Sequence, residues 1–322
     1  MDVTESTFST IFGPVSSRRF GRSLGVDIIP RKLCTLDCVY CEVGRTDKRG
    51  FVRKEYVSQD RILEELSEAI SLHPEIDCVT YSGSGEPTLH SGLGTLLAAT
   101  RRMSAHPIVV LTNGTLLWRE DVRRDLLEAE IVCPSLNAVS EDIFRRINRP
   151  HPALSAHLVL EGLISFRREY RGKYFLEILF VQGLNDSDEE VEELRKACVR
   201  IGPDEVHINT VVRPPAETWA KPVSSLRLDE IREMLGPSAH VLVSHDSSPA
   251  TRADHVDPHE IVAMLSRRPM SREEIGACVA AASELVDENI DRLLSKGLIH
   301  PIPHCGREFF TATGADDPLR PA

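Results

Sequence analysis

The chain has 322 residues, 41% of them hydrophobic, which is enough for one large domain and a small second one. Its 49 acidic and 38 basic residues give a formal net charge of -11, which repels phosphate backbones and disfavours broad nucleic-acid affinity. Because no apolar run approaches the roughly 20 residues of a membrane helix, and the N-terminus does not resemble a signal peptide, we expect a cytoplasmic protein without membrane contact.

Strand-like and helix-like segments alternate along residues 24–210. The first predicted strand, residues 24–29, leads into a cysteine-rich loop, and Ser58 is predicted to cap a helix over residues 61–72. Further strands are predicted at residues 78–81, 108–112, 131–136, 175–181 and 206–210. Further helices are predicted at residues 93–103, 120–129, 141–147, 155–170 and 188–201. Such repeated β-then-α units predict a parallel sheet with helices outside it.

Three cysteines follow the first predicted strand. Cys34, Cys38 and Cys41 have C-x3-C-x2-C spacing, and three thiolates this close can ligate three irons of a cubic 4Fe-4S cluster while leaving the fourth iron open. Zinc is a weaker interpretation, since no fourth Cys or His lies nearby, and a disulfide would need an oxidising compartment. Cys78, Cys133 and Cys198 lie in apolar segments and are predicted to be buried, reduced thiols.

Polar and glycine-rich residues follow the later strands as well. In a parallel barrel the chemistry lies at the carboxyl ends of the strands, so these residues are candidates for a binding site. The glycines would let the backbone approach a ligand closely. Each residue taken alone also fits a helix cap or a turn. The candidates, in chain order, are Gly83, Gly85, Glu86, Pro87, Asn113, Ser135, Asn137, Asn185, Asn209, Thr210 and Arg213.

The cysteine triplet and the Gly83-Ser84-Gly85-Glu86-Pro87 run resemble motifs of the radical S-adenosylmethionine (SAM) superfamily. Runs at residues 12–19, 21–27, 41–46, 147–151 and 213–215 resemble its wyosine-synthase-like Fe–S oxidoreductase branch. The resemblance covers about residues 10–225. It implies an α/β fold, a partial (β/α)6 barrel, with one 4Fe-4S cluster whose open iron binds SAM.

The same resemblance implies roles for individual residues and for partners. Tyr40 would lie near the adenine of SAM, and the motif at residues 83–87 would hold its amino group. Asn113, Ser135 and Asn137 are placed for the carboxylate or ribose, and Asn185 and Arg213 are candidates for SAM or substrate contact. An electron from a donor such as ferredoxin or flavodoxin would cleave SAM to methionine and a 5′-deoxyadenosyl radical.

The substrate stays open between an RNA base, a peptide and a small metabolite. No cysteine precedes Cys34, whereas relatives that build wyosine on tRNA carry further N-terminal cysteines, and Asn137 stands where the branch usually has Asp. Both departures argue against wyosine synthesis itself. Basic residues that include Arg18 and Arg19 gather near the cysteine loop, where a solvated rim is favoured over contact with an anionic substrate. A redox-sensing regulator is the alternative function.

The C-terminal part of the chain is predicted to form a separate unit. We expect residues 1–245 to form the core, 246–257 a linker, 258–315 a winged-helix-like domain and 316–322 a tail. DNA binding is disfavoured, because the expected recognition helix carries Glu284, Asp287, Glu288 and Asp291. Cys305, with His300 and His304 nearby, is interpreted as incidental rather than as a second metal site.

Overall fold

The computed structural model describes residues 10–46, 48–242 and 256–314. Its strands are β1 (Ile11–Ser17), β2 (Gly21–Val26), β3 (Leu33–Cys34), β4 (Lys48–Arg49), β5 (Cys78–Tyr81), β6 (Ile108–Thr112), β7 (Ile131–Pro134), β8 (Lys173–Phe180), β9 (Glu205–Thr210), β10 (Ala239–Val241), β11 (Ile299–His304) and β12 (Arg307–Ala312). Its helices are α1 (Gln59–Leu72), α2 (Leu93–Met103), α3 (Glu120–Leu126), α4 (Glu141–Asn148), α5 (Ala156–Glu169), α6 (Asp188–Ile201), α7 (Ser225–Leu235), α8 (Pro258–Leu265), α9 (Arg272–Val279) and α10 (Ser283–Ser295).

One curved sheet of eight strands forms the core, in the order β1-β2-β5-β6-β7-β8-β9-β10. Strand β1 runs antiparallel to β2, and every later neighbour in this sheet is parallel. The six strands predicted at residues 24–210 and the helices predicted between them are all present, with β1 and β10 added at the two edges. The structure thus confirms the predicted α/β fold with a partial barrel.

Strand β8 shows how the sheet separates a dry face from a polar one. Tyr174, Leu176, Ile178 and Phe180 are fully buried and pack in the main core with residues of α5 and α6. Successive side chains of a strand point to opposite faces, so Glu177 lies on the other side. The concave face of the barrel is therefore where this strand presents its charged group.

Several predicted elements need correction. Strand β1 was not predicted, because Gly13-Pro14 interrupts its pattern and shifts the register between Phe12 and Val15. Helix α7 was also missed, and α3 ends at Leu126 rather than at residue 129. Ser58 is the N-cap residue of α1, but its side chain makes no capping hydrogen bond. The sequence pattern also predicts a strand at residues 238–244, of which β10 is described. Residues 243–245, most of the predicted linker and the tail lie outside the described residues.

Helices α8, α9 and α10 and the antiparallel hairpin β11–β12 form the C-terminal unit, residues 256–314. Phe12 and Val15 of β1 belong to the same apolar cluster as Ile275, Ile290 and Phe310 of this unit. The unit therefore packs against the edge of the barrel sheet. The order of its elements is the predicted one, and its winged-helix character stays a prediction.

Across the described ranges, no helix is both long and apolar enough to cross a membrane.

Candidate metal and cofactor site

The cysteine loop, residues 34–41, is fastened to the end of α4 by backbone hydrogen bonds. The amides of Asp37 and Val39 donate to the carbonyls of Asn148 and Ile147, both at 3.0 Å. The amide of His151 donates to the carbonyl of Thr35 at 2.9 Å. A loop without regular structure is thereby fixed at three points, which holds its side chains in place for a ligand.

Two asparagine side chains donate to the cysteine sulfurs. Asn113 Nδ2 lies 3.3 Å from Cys34 Sγ, and Asn148 Nδ2 lies 3.2 Å from Cys38 Sγ. Burial raises the pKa of all three thiols, that of Cys38 to about 12. Without a bound cation the thiols therefore stay protonated, whereas iron would displace the protons and the asparagine donors would stabilise the sulfur charge.

All eight cysteines are free, and Cys78, Cys133 and Cys198 are buried as predicted. No three His, Cys, Asp or Glu side chains in residues 10–46, 48–242 and 256–314 are grouped as ligands of one metal ion. A cubic cluster takes one thiolate at each of three irons, and Cys34, Cys38 and Cys41 on one short loop can supply that set.

Asn148→Ala should weaken the retention of iron by about 10–100-fold. The change removes the donor to Cys38 Sγ and the 3.2 Å hydrogen bond to the Tyr40 hydroxyl, but leaves the backbone carbonyl that holds Asp37. The measurement is iron release to a chelator after anaerobic reconstitution. Asn289→Ala is the control, since Asn289 is a buried asparagine in α10 that donates to the Leu285 carbonyl. Equal iron retention in the two variants would contradict the role of Asn148.

A cavity of about 390 Å³ lies beside the cysteine loop, within the roughly 300–1,000 Å³ range of small-molecule sites. It is bordered by the carboxyl ends of β5, β6 and β7. At Gly85, an added Cβ would lie 2.2 Å from the Leu33 carbonyl oxygen, so only glycine fits between the motif and β3. The predicted site residues that line the cavity are Cys34, Tyr40, Gly83, Gly85, Glu86, Asn113, Ser135, Asn209 and Arg213.

Glu86 is buried and binds within the protein. Its Oε1 accepts hydrogen bonds from the amide and hydroxyl of Thr88, at 3.1 and 2.6 Å, and from the hydroxyl of Thr112 at 2.6 Å. Among the described residues, its Oε2 accepts from the Asn113 amide alone, at 2.7 Å. Burial raises the pKa of this carboxyl against the effect of these donors. One acceptor position of Oε2 is left for a cationic ligand group, and the other contacts brace β5 against β6.

Four of the candidate residues lie outside this cavity, namely Pro87, Asn137, Asn185 and Thr210. Asn137 donates to the Tyr40 hydroxyl at 2.5 Å and accepts from the Leu179 amide at 2.8 Å. Asn185 is fully buried and bonds to the backbone of Val181, Leu179 and Asn137. Both asparagines therefore position the fold around Tyr40, and the geometry does not bring them to the cavity. Pro87 is also buried, in a short 3-10 helix of residues Pro87–Leu89.

Arg213 lines the cavity and joins the core to the C-terminal unit. Its guanidinium lies 3.2 Å from Glu42 and 2.5 Å from Glu274 of α9. Burial disfavours the charge, yet the two carboxylates outweigh it and raise the pKa of Arg213. The predicted ligand contact at this position is thus accompanied by a buried ion-pair network.

Sequence reasoning missed several residues of the site. Asn148 lies in the run at residues 147–151, which was noted only for its family resemblance. The available signal was an Asn directly after the helix predicted at residues 141–147. Arg267 and Arg268 also line the cavity, although they belong to the C-terminal unit. Arg18 and Arg19, interpreted above as part of a solvated rim, border the cavity instead. No local pattern marks such long-range placements.

The chain is similar to a known protein family and to several known proteins. Residues 28–198 match the family model described as the Radical SAM superfamily. A UPF0026 protein of Methanocaldococcus jannaschii is 33% identical over 306 residues, which are 93% of this chain and 94% of the relative. A Brachyspira hyodysenteriae protein named GTPase Obg is 32% identical over 301 residues, which are 92% of this chain; the chain spans only 44% of that relative's length.

Among solved structures, a radical SAM methyltransferase from Sphaerobacter thermophilus shares the fold. The TM-score is 0.53 at 18% sequence identity, with 68% of this chain and 66% of that chain covered. At this level of identity the likeness concerns the fold alone.

Proposed function

The chain belongs to the radical SAM superfamily, and from this premise we propose that it is an enzyme that cleaves SAM reductively at one 4Fe-4S cluster on Cys34, Cys38 and Cys41. The observation that carries the proposal is the cysteine loop itself. Three free thiols lie on one braced loop, two of them with asparagine donors, and Cys34 of this set borders a cavity of ligand size. This donor set suits iron and inorganic sulfide.

When bound, the cluster and SAM supply the electron transfer and the 5′-deoxyadenosyl radical that takes a hydrogen atom from the substrate. The protein's own residues bind, orient and shield. Cys34, Cys38 and Cys41 would lose their protons to become ligands. Gly85 leaves room for close approach of a ligand, and Oε2 of Glu86 is a candidate acceptor for the SAM amino group.

Tyr40 is held where it could flank the adenine of SAM. Its hydroxyl accepts hydrogen bonds from Asn137 and Asn148, so the ring is fixed from two sides. Ser135 lines the cavity, and no hydrogen bond of its hydroxyl is found within the described part of the chain. These two residues, with Asn113, are our candidates for SAM contacts. The reductant, such as ferredoxin or flavodoxin, would approach the half-buried cysteine loop.

The test is anaerobic reconstitution with iron and sulfide, followed by SAM and dithionite, with 5′-deoxyadenosine measured by chromatography. We expect 5′-deoxyadenosine to accumulate only with dithionite present. If a cluster forms and no 5′-deoxyadenosine appears, with or without candidate substrates, the proposed reaction is wrong. Salt-sensitive binding to a specific DNA would then favour the regulator predicted as the alternative.

A further inference from the structure

Five arginines border the cavity, and three carboxylates border it as well. The arginines are Arg18, Arg19, Arg213, Arg267 and Arg268, and the carboxylates are Glu42, Glu86 and Glu177. The arginines outnumber the carboxylates by two, and the charges are not evenly placed. Which arginine has a carboxylate partner decides where an incoming anion would bind.

Three of these arginines are neutralised by ion pairs. Arg19 lies 2.5 Å from Glu177 on β8, and both side chains are mostly buried. Arg213 is shared between Glu42 and Glu274, and Arg267 lies 3.2 Å from Asp27. Glu86 is held by neutral donors and keeps one acceptor position on Oε2, as described above. Apart from that position, the carboxylates that border the cavity are already bound.

Arg18 and Arg268 have no such partner in the part of the chain that the structure describes. No carboxylate lies within 4.0 Å of either guanidinium in the described residues, and the hydrogen bond of Arg18 goes to the neutral Oδ1 of Asn209 at 3.2 Å. Nε of Arg268 is buried without a hydrogen-bond partner. Burial and the neighbouring Arg213 lower the pKa of both guanidinium groups. Two half-buried cations beside a third, buried one are costly unless an anion joins them.

We propose that the substrate carries a phosphate or carboxylate group that Arg18 and Arg268 bind at the mouth of the cavity. The inference rests on the proposed function and adds the substrate's chemical class. A guanidinium donates in a planar fork that matches the oxygens of both anions. Arg18 comes from the β1–β2 turn and Arg268 from the segment between α8 and α9, so the C-terminal unit supplies part of the substrate site.

The experiment uses the full chain, as purified and after reconstitution, and titrates inorganic phosphate and succinate at constant ionic strength by calorimetry. We expect one of the two anions to bind, and Arg268→Gln and Arg18→Gln each to weaken it at least 10-fold. Arg307→Gln is the matched control, because Arg307 lies in the same unit, is more than half exposed and does not border the cavity. Its anion affinity should equal that of the wild type.

The preferred probe distinguishes a phosphate-bearing from a carboxylate-bearing substrate. The proposal is overturned if the wild type binds neither anion, if Arg268→Gln binds like the wild type, or if Arg307→Gln loses as much affinity. It also falls if SAM competes with the anion and Arg268→Gln loses SAM affinity in parallel, since the arginines would then serve the SAM carboxylate.

Stability and SAM cleavage are separate readouts. Arg268→Gln should keep or raise the Tm without added anion, because it removes a half-buried charge that has no carboxylate partner in the described residues. A lower Tm would point to a merely structural arginine and contradict the proposal. Anion binding is measured without SAM cleavage. If 5′-deoxyadenosine forms but Arg268→Gln binds the anion normally, only this inference fails. If 5′-deoxyadenosine never forms while the anion site behaves as expected, only the proposed reaction fails.

Discussion

Cys38→Ala is expected to abolish both cluster assembly and the cleavage of SAM. Cys38 is the central thiol of the loop, and its sulfur accepts a hydrogen bond from the Asn148 side chain. With two thiolates left, the cluster would lose one of three protein ligands, and buried neighbouring thiols would return to their protonated state. We expect iron content near background and a loss of 5′-deoxyadenosine formation of at least about 100-fold, the upper end for removal of a metal-site residue.

Iron and sulfide content and 5′-deoxyadenosine formation should be measured on the same reconstituted samples. Cys305→Ala is the control, because Cys305 is an exposed thiol in the β11–β12 turn and lies beside His304 rather than in the cysteine loop. It should retain wild-type values. Full iron content and full activity in Cys38→Ala would remove Cys38 from the ligand set and with it the proposed cluster loop.

Local sequence patterns predicted most of the barrel. Strands β5 and β6 and helices α2 and α6 have the predicted bounds, since each is a short apolar run or an amphipathic repeat with clear ends. Strand β1 escaped prediction because it depends on pairing with β2 and on Phe12 and Val15 packing against the C-terminal unit. Pairing and packing between distant segments leave no periodic trace in either segment.

The candidate site likewise contains residues that local motifs reveal and residues that only the fold brings together. The cysteine spacing and the glycine motif are local, so Cys34, Tyr40, Gly85 and Glu86 were identified from the sequence and do meet at one cavity. Asn148 meets Cys38 across 110 residues, and Ser16 meets Cys278 across 262. Spacing alone cannot register such contacts. For Asn137 and Asn185, the position after a strand was identified correctly, but which face the amide takes depends on neighbouring strands.

The same long-range packing changes the meaning of the arginines. In the sequence, Arg18 and Arg19 belong to a broad basic segment, and a solvated rim is the simplest interpretation. In the fold, β1 packs against the C-terminal unit, and Arg18 and Arg19 border the cavity together with Arg213. An overall charge of -11 therefore coexists with a local cluster of cations. The net charge governs the long-range steering of charged molecules toward the protein, whereas the arginine cluster governs which charged groups are attracted at the cavity.

Arg213→Gln is expected to destabilise the protein by about 2–4 kcal/mol at pH 7. Breaking a buried ion pair by removing one partner costs roughly 3–5 kcal/mol. The expected loss of stability is somewhat smaller here, because Glu42 and Glu274 are about one third exposed and solvent screens their charges. The arginine side chain itself is 7% exposed. Without it, two carboxylates face each other between the core and α9.

The pH dependence separates this effect from simple loss of packing. Burial alone would raise the pKa of Glu274, but Arg213 outweighs it and holds that pKa below its usual value. A depressed carboxyl pKa stabilises the fold above the unfolded pKa, about 4.5, and this contribution is lost as the pH falls through the folded value. In Arg213→Gln the pKa of Glu274 should rise, so Glu274 is protonated at a higher pH than in the wild type. Protonation removes its negative charge and with it the repulsion between Glu274 and Glu42.

The stability difference between wild type and Arg213→Gln should therefore shrink as the pH falls from 7 to about 4.5. Urea unfolding at several pH values, on samples with equal iron content, measures it. Arg232→Gln is the control, because Arg232 is a half-exposed arginine of α7 with surface ion pairs only, and its effect should stay within about 0.5 kcal/mol. A difference that is constant or grows at low pH would mean that Arg213 acts through packing, and that charge does not join the C-terminal unit to the barrel.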